Sequence, residues 1–197
     1  MAVKHVSIDI ETYSSVDIRK SGLYKYAQSP DFEVLLIAYS IDGEPVKITE
    51  PKREFVPDEL TELLMDPSCI KHAYNAAFEW YCLSIYFGIK KPAAWLPQWR
   101  CTQLHGLYLG YPAGLAEIGE ALKLPQDKKK LSTGKALINY FCKPCRPTRA
   151  NGMRTRNYPS HAPEKWELFK DYCRRDVETE MAVERKLSAF PVPDEVQ

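Results

Sequence analysis

SIDIETYS, residues 7–14, decides how this chain folds. It closes an alternation in which Val6, Ile8 and Ile10 fall on one face and His5, Ser7, Asp9 and Glu11 on the other. A period of two predicts a strand, here over Val3–Ile10, with its core on one side. Residues i and i+2 of a strand point the same way, so Asp9 and Glu11 stand side by side at its end. Two carboxylates on one face repel, and the repulsion grows where water is scarce. The pair therefore raises the question of which cation it shares.

Working outward, Glu33–Ile41 (EVLLIAYSI) reads as a second strand, and Asp42-Gly43 as a tight turn into a third, EPVKITE. Pro57–Met65 is a short helix opened by proline and acids. Ile70–Tyr74 is a fourth strand that stops at Asn75. Helices are predicted over Ala76–Phe87, Gly114–Leu124, Leu131–Phe141 and Pro163–Leu187, with Cys142–Pro159 as loop. This order argues for an α/β fold, a mixed sheet flanked by helices, with sites gathered at strand ends. No internal repeat is visible.

At 197 residues the chain suits one domain, expected over 1–190, with 191–197 a tail or the start of a linker. Hydrophobic residues are 45% and charged residues 27%, an ordinary globular balance. No run approaches the ~20 apolar residues of a membrane span, and the amino terminus lacks a signal-peptide pattern. Six scattered cysteines look like reduced core thiols, which places the chain in a cytoplasm. The net charge of +1 hides a partition. Lys128 to Pro163 contains no acid and nine cations, leaving 18 lysines and arginines against 26 acids elsewhere. A basic tract on an acidic body fits either a polyanion partner on one side or a solvated loop.

A lone Asp-x-Glu is weak evidence, so the other acids matter. In AAFEWYCLSIYF (76–87) Glu79 is the single charge on a helix apolar all round. Such a helix is buried, and a buried glutamate is costly unless a cation or a wet cleft meets it. The alternative is an acid at an exposed helix start, favoured by the macrodipole. In YCRRD (172–176) Tyr172 and Asp176 share a helix face and flank the apolar stripe Trp166, Phe169, Cys173 and Val177. Four carboxylates and a tyrosine, from a strand end, a helix start and a late helix, have a physical use. Hard divalent ions such as Mg2+ take oxygen ligands, and two of them about 4 Å apart can clamp a phosphodiester.

These motifs resemble those of the 3′→5′ exonucleases with four acidic ligands, a proofreading superfamily on the ribonuclease-H-like fold. DIET (9–12) matches its first motif. NAAFE (75–79) resembles its second, Asn-x-x-Phe-Asp, with Glu in place of Asp. YCRRD matches its third, of the tyrosine type, because residue 171 is Asp and not the histidine of the other subfamily. Nearly the whole chain is similar to the exonuclease domain of phage and prophage family A DNA polymerases, through ETYSSVDIRKSGLYKYAQSPDFEVLLIAYSIDGEPV, STGKALINYFCKP and WELFKDYCRRDVETE. The length leaves no room for a polymerase.

The resemblance implies a mostly five-stranded sheet, hydrolysis of single-stranded DNA from its 3′ end, and two divalent ions, Mg2+ or in substitution Mn2+. It implies that Asp9 bridges both ions, that Glu11 and Asp176 complete the first site, and that Glu79 holds the second. Tyr172 would orient the attacking water, Thr12 would contact the terminal nucleotide, and Asn75 would position Glu79. Tyr13 is a candidate to stack on a base, and Arg146, Arg149, Arg154 and Arg156 to guide the strand. A polymerase domain is the expected partner and a bacterial or phage-infected cell the expected setting. A free-standing exoribonuclease and a non-catalytic nucleic-acid-binding domain are the alternatives. CKPC (142–145) has a zinc-like spacing but lacks the two further ligands that structural zinc needs. His5, His72, His105 and His161 form no visible cluster, and Lys128–Lys130 reads as a solvated turn.

Overall fold

The computed structural model describes residues 3–125, 134–193 and 196. Strand β1 (His5–Tyr13) pairs antiparallel with β2 (Glu33–Ile41) and parallel with β4 (Ile70–Ala73). β3 (Lys47–Thr49) and β5 (Trp99–Cys101) close the two edges, giving a five-stranded mixed sheet in the order β3-β2-β1-β4-β5. The α/β architecture expected from the element order is the one observed.

β1 runs three residues beyond the predicted strand. Its ladder slips between Glu11 and Thr12: Glu11 lies opposite Leu36 and Thr12 opposite Val34, so β2 contributes one extra residue. A bulge of this kind bends the ladder and re-aims side chains. Glu11, Thr12 and Tyr13 are consecutively buried there, which strict alternation forbids. Asp9 and Glu11 therefore lie inside β1 and not at its end, a correction to the expectation.

β2 is apolar from Val34 to Tyr39 because both of its faces are covered. Ile37, Tyr39 and Ile41 join Val6, Ile8 and Ile10 in one core, while Leu36 and Ala38 join Phe169, Cys173 and Val177 in another. Asp42 (φ 50°) and Gly43 (φ 80°) turn the chain towards β3 in the left-handed geometry that a two-residue hairpin turn requires.

Helices α1 (Ile18–Ala27), α2 (Asp58–Met65) and α3 (Ala77–Tyr86) contribute to the first core. α4 (Pro92–Trp95), α5 (Thr102–Tyr108) and α6 (Leu115–Ala121) lead to α7 (Gly134–Phe141) and the 25-residue α8 (Pro163–Leu187) on the opposite face. The predicted stripe of α8 is buried at all four positions. Lys128–Lys130 and the first three residues of the helix expected over 131–141 lie outside the described residues.

α1, α4, α5 and β5 were not expected from the sequence. α1 has no apolar stripe and breaks at Gly22 (φ 79°); its visible signal is Asp17, whose carboxylate accepts the Arg19 N–H at 2.9 Å. β5 has three residues, too few to show a period.

Candidate active site

The acids arrive on three elements. β1 places Asp9 and Glu11 on the face covered by α8, and α8 returns Asp176 over them. Ligand oxygens of Asp9, Glu11 and Asp176 all lie within 4.8 Å of one another. Glu11 and Asp176 are buried and Asp9 is half-buried.

Glu79 comes from the first turn of α3. The sheet delivers that helix through Asn75, whose backbone is left-handed (φ 67°), a conformation asparagine tolerates better than most residues. The Asn75 carbonyl accepts the Phe78 N–H at 2.9 Å and starts the turn. Glu79 is 3% exposed, so the alternative of a solvated helix-end acid is wrong. Its Oε2 is buried without a hydrogen-bond partner. Burial, then the Asp9 charge, holds its carboxyl well above the usual range.

Tyr172 is fully buried on α8. Burial first, and then the charges of Asp176, Glu11 and Asp9, push its phenol far up, so it keeps its proton. Gly134, at the start of α7, lies against this ring: a Cβ built there would fall 1.9 Å from Tyr172 Cε2. The other end of α7 also reaches the acids. The thiol of Cys142, the next residue, contacts Glu11 Oε2 at 3.7 Å, and the Cys173 thiol contacts Asp9 Oδ2 at 3.4 Å. Burial and the neighbouring acids raise both thiols.

The remaining candidates divide. Thr12 is buried and its hydroxyl shares a 2.7 Å hydrogen bond with Tyr26. Beside that pair is a cavity of about 260 Å3, lined among others by Ser14, Ser15, Arg19, Tyr26, Cys142 and Lys143. Tyr13 does not offer a stacking face: it is 4% exposed, with the Arg156 guanidinium 3.7 Å from its ring centroid. Arg156 is in turn paired with Glu33 at 3.0 Å. Arg154 donates to Asn157 Oδ1 at 2.8 Å and to the Asn151 carbonyl at 3.1 Å. These two arginines hold the loop together, whereas Arg146 and Arg149 are exposed. A cavity of about 410 Å3 behind Phe141, between Arg156 and Trp166, contains none of the motif acids.

Gly134, Cys142 and Cys173 were missed as site residues by the sequence reading. Gly134 stood inside a stretch whose interest was its resemblance. Cys142 belonged to a CKPC that reads as a failed zinc motif; its partner Cys145 contacts the Arg154 carbonyl at 3.4 Å instead.

All the ligand atoms are carboxylate oxygens, a donor set that suits a hard divalent ion. The orphaned Glu79 oxygen, buried beside like charges, fits that reading.

The chain is 49% identical over 189 residues to a DNA polymerase of Bacillus phage SP02. That match covers 95% of this chain and 28% of the polymerase, so the chain spans little more than a quarter of its relative. No family model matches. Among solved structures, the family B DNA polymerase of Pyrobaculum calidifontis superposes with a TM-score of 0.58 at 14% identity, over 96% of this chain and 25% of that one. RNase D of Trypanosoma brucei with GMP gives 0.57 at 16% identity, over 93% and 50%. RNase D of Escherichia coli gives 0.52 at 18%, over 94% and 39%. At such identities the shared property is the fold.

Proposed function

We propose that this chain, a relative of a phage DNA polymerase over 95% of its length, is a metal-dependent 3′→5′ exonuclease domain that removes nucleoside 5′-monophosphates from single-stranded DNA ends. The observation that carries the proposal is the convergence of the first and third motifs, Asp9, Glu11 and Asp176 within 4.8 Å, and the buried, unpartnered Glu79 Oε2 of the second motif, which lies outside that group, supports it. The domain spans 1–190, works in the cytoplasm of a bacterial or phage-infected cell, and serves a polymerase domain of a longer chain as its proofreader.

Asp9, Glu11 and Asp176 would hold one divalent ion, and Glu79 with Asp9 a second, Mg2+ or Mn2+. Such a pair supplies a hydroxide at neutral pH and takes up charge on the leaving oxygen. The protein groups do the positioning. Tyr172, kept protonated, orients the attacking water through its phenol. Asn75 sets the start of α3 and hence the reach of Glu79. The 3′ end would enter the cavity beside Thr12, where Arg19 and Lys143 offer positive charge to phosphates.

The test is a time course on 5′-labelled single-stranded DNA and matched RNA, with Mg2+, with Mn2+ and with chelator. A ladder that shortens from the 3′ end of DNA in metal alone is the expected result. Preference for RNA would move the chain to RNA trimming, and no degradation in any metal would sink the proposal.

A further inference from the structure

Both acids of the first motif touch a buried thiol, and the two thiols come from different elements. Cys173 on α8 contacts Asp9 Oδ2 at 3.4 Å and the Asp9 carbonyl at 3.8 Å. Cys142, just past α7, contacts Glu11 Oε2 at 3.7 Å, beside the Glu11/Thr12 step where the β1 ladder slips. Neither contact follows from packing alone, because a small apolar residue would fill either position as well. We infer that Cys142 and Cys173 are positioning residues of the site, whose thiols hold Glu11 and Asp9 in ligating orientations and fasten β1 to α7 and α8. The inference rests on the metal-site reading given above.

The chemistry suits a weak donor. Asp9 and Glu11 sit on one strand face and repel, and each thiol adds a donor that holds its acid against that repulsion. A lysine or arginine would restrain them but would also neutralise the charge a cation needs. A thiol donates weakly and leaves that charge in place. Each thiol lies against a carboxylate oxygen, an acceptor, so the sulfur acts as the donor. Cys173 lies three residues before Asp176, so its contact ties the first and third motifs into one unit. Partners behind metal ligands commonly carry a 10–100-fold effect on metal affinity.

The experiment is Mn2+ binding by calorimetry, with melting of the metal-free protein and steady-state kinetics, for Cys173→Ala, Cys173→Ser and Cys142→Ala. Cys69→Ala is the control, an equally buried thiol at the far end of β4. Expected is a 10–100-fold loss of Mn2+ affinity in the two thiol-to-alanine variants. The serine variant, which keeps a donor, should recover to within about threefold of wild type, and KM for DNA should not move. Cys69→Ala should lower the melting temperature without changing Mn2+ affinity. In an Asp9→Ala background the melting cost of Cys173→Ala should shrink, because its partner is gone. Wild-type Mn2+ affinity in Cys173→Ala, while Asp9→Ala abolishes binding, overturns this inference alone. No Mn2+ binding by the wild type overturns it together with the metal-site reading.

Discussion

Lys71 and Glu79 are eight residues apart in one strand-turn-helix unit, and each is a charged residue buried in the core. Their surroundings differ. The Lys71 ammonium donates to the Asp66 carbonyl at 2.8 Å, the Cys69 carbonyl at 2.9 Å and Gln98 Oε1 at 2.5 Å. Glu79 has an orphaned Oε2 and is raised by burial and by the like charges of Asp9 and Glu11. The protein satisfies the lysine completely with its own oxygens and leaves the glutamate wanting. A buried charge with all its partners supplied is architecture; one set among like charges fits the cation proposed above.

The comparison breaks most directly at Asp9. Asp9→Ala should abolish hydrolysis, by a thousandfold or more, about 4 kcal/mol of transition-state stabilisation. Metal-free melting should stay the same or rise, because a repulsion is relieved. Near-wild-type degradation of DNA by this variant would remove the difference between the two regions.

The acidic side extends one helical turn to Glu180, which is 2% exposed, accepts the Thr102 hydroxyl and is pushed up to about 7 by burial. Its folded value exceeds the unfolded one, near 4.5. The folded chain therefore binds more protons between pH 4.5 and 7, and this residue costs stability as pH rises through that window. Glu180→Gln should gain about 3 kcal/mol at pH 8 and nothing at pH 4. A pH-independent difference in denaturant melts would show that Glu180 does not titrate in this way.

Lys71 has the opposite sign. Burial lowers it to about 8, below the unfolded 10.5. Between those values the unfolded chain binds more protons, so stability rises from pH 8 to 10.5 by about 3 kcal/mol through this group. Lys71→Met should flatten that rise without changing the metal requirement, and a wild-type-like rise in the variant would assign it to another group.

Gly134→Ala sharpens the comparison on the reactive side. The added Cβ must displace the Tyr172 ring. The turnover should fall about tenfold, roughly 1.4 kcal/mol, with Mn2+ binding retained because Tyr172 is no ligand. Equal loss of both would mean that α7 as a whole has shifted.

The smallest effect concerns the basic loop. Replacing exposed Arg146 and Arg149 by Gln should lower the log–log salt slope of single-strand binding by roughly 0.7 per lost phosphate contact. Replacing Arg154 and Arg156 should instead cost stability, because their partners are Asn157, Asn151 and Glu33. An unchanged slope in the first pair would mean that Arg146 and Arg149 face solvent and do not meet the strand.

Periodicity and local chemistry, which the chain carries in itself, determined β2, the Asp42-Gly43 turn, α8 with its apolar stripe, and the pairing of Asp9 with Glu11 on one face. Those signals are local, because side-chain direction repeats every 2.0 or 3.6 residues whatever the rest of the chain does. The motif acids were legible for the same reason: a lone charge in an apolar helix and paired carboxylates on a strand are conspicuous costs. Only the tertiary structure decided what lies across from them. The bulge at Glu11/Thr12 depends on β2 as a partner, so β1 could not be seen to continue through Tyr13. Tyr13 and Arg156 are 143 positions apart, and their stacking closed a face that the sequence left open. Cys173 was legible only as part of the α8 stripe and Cys142 only as part of CKPC. α7 and α8 deliver Cys142 and Cys173 to Glu11 and Asp9, contacts spanning 131 and 164 positions that no local period encodes.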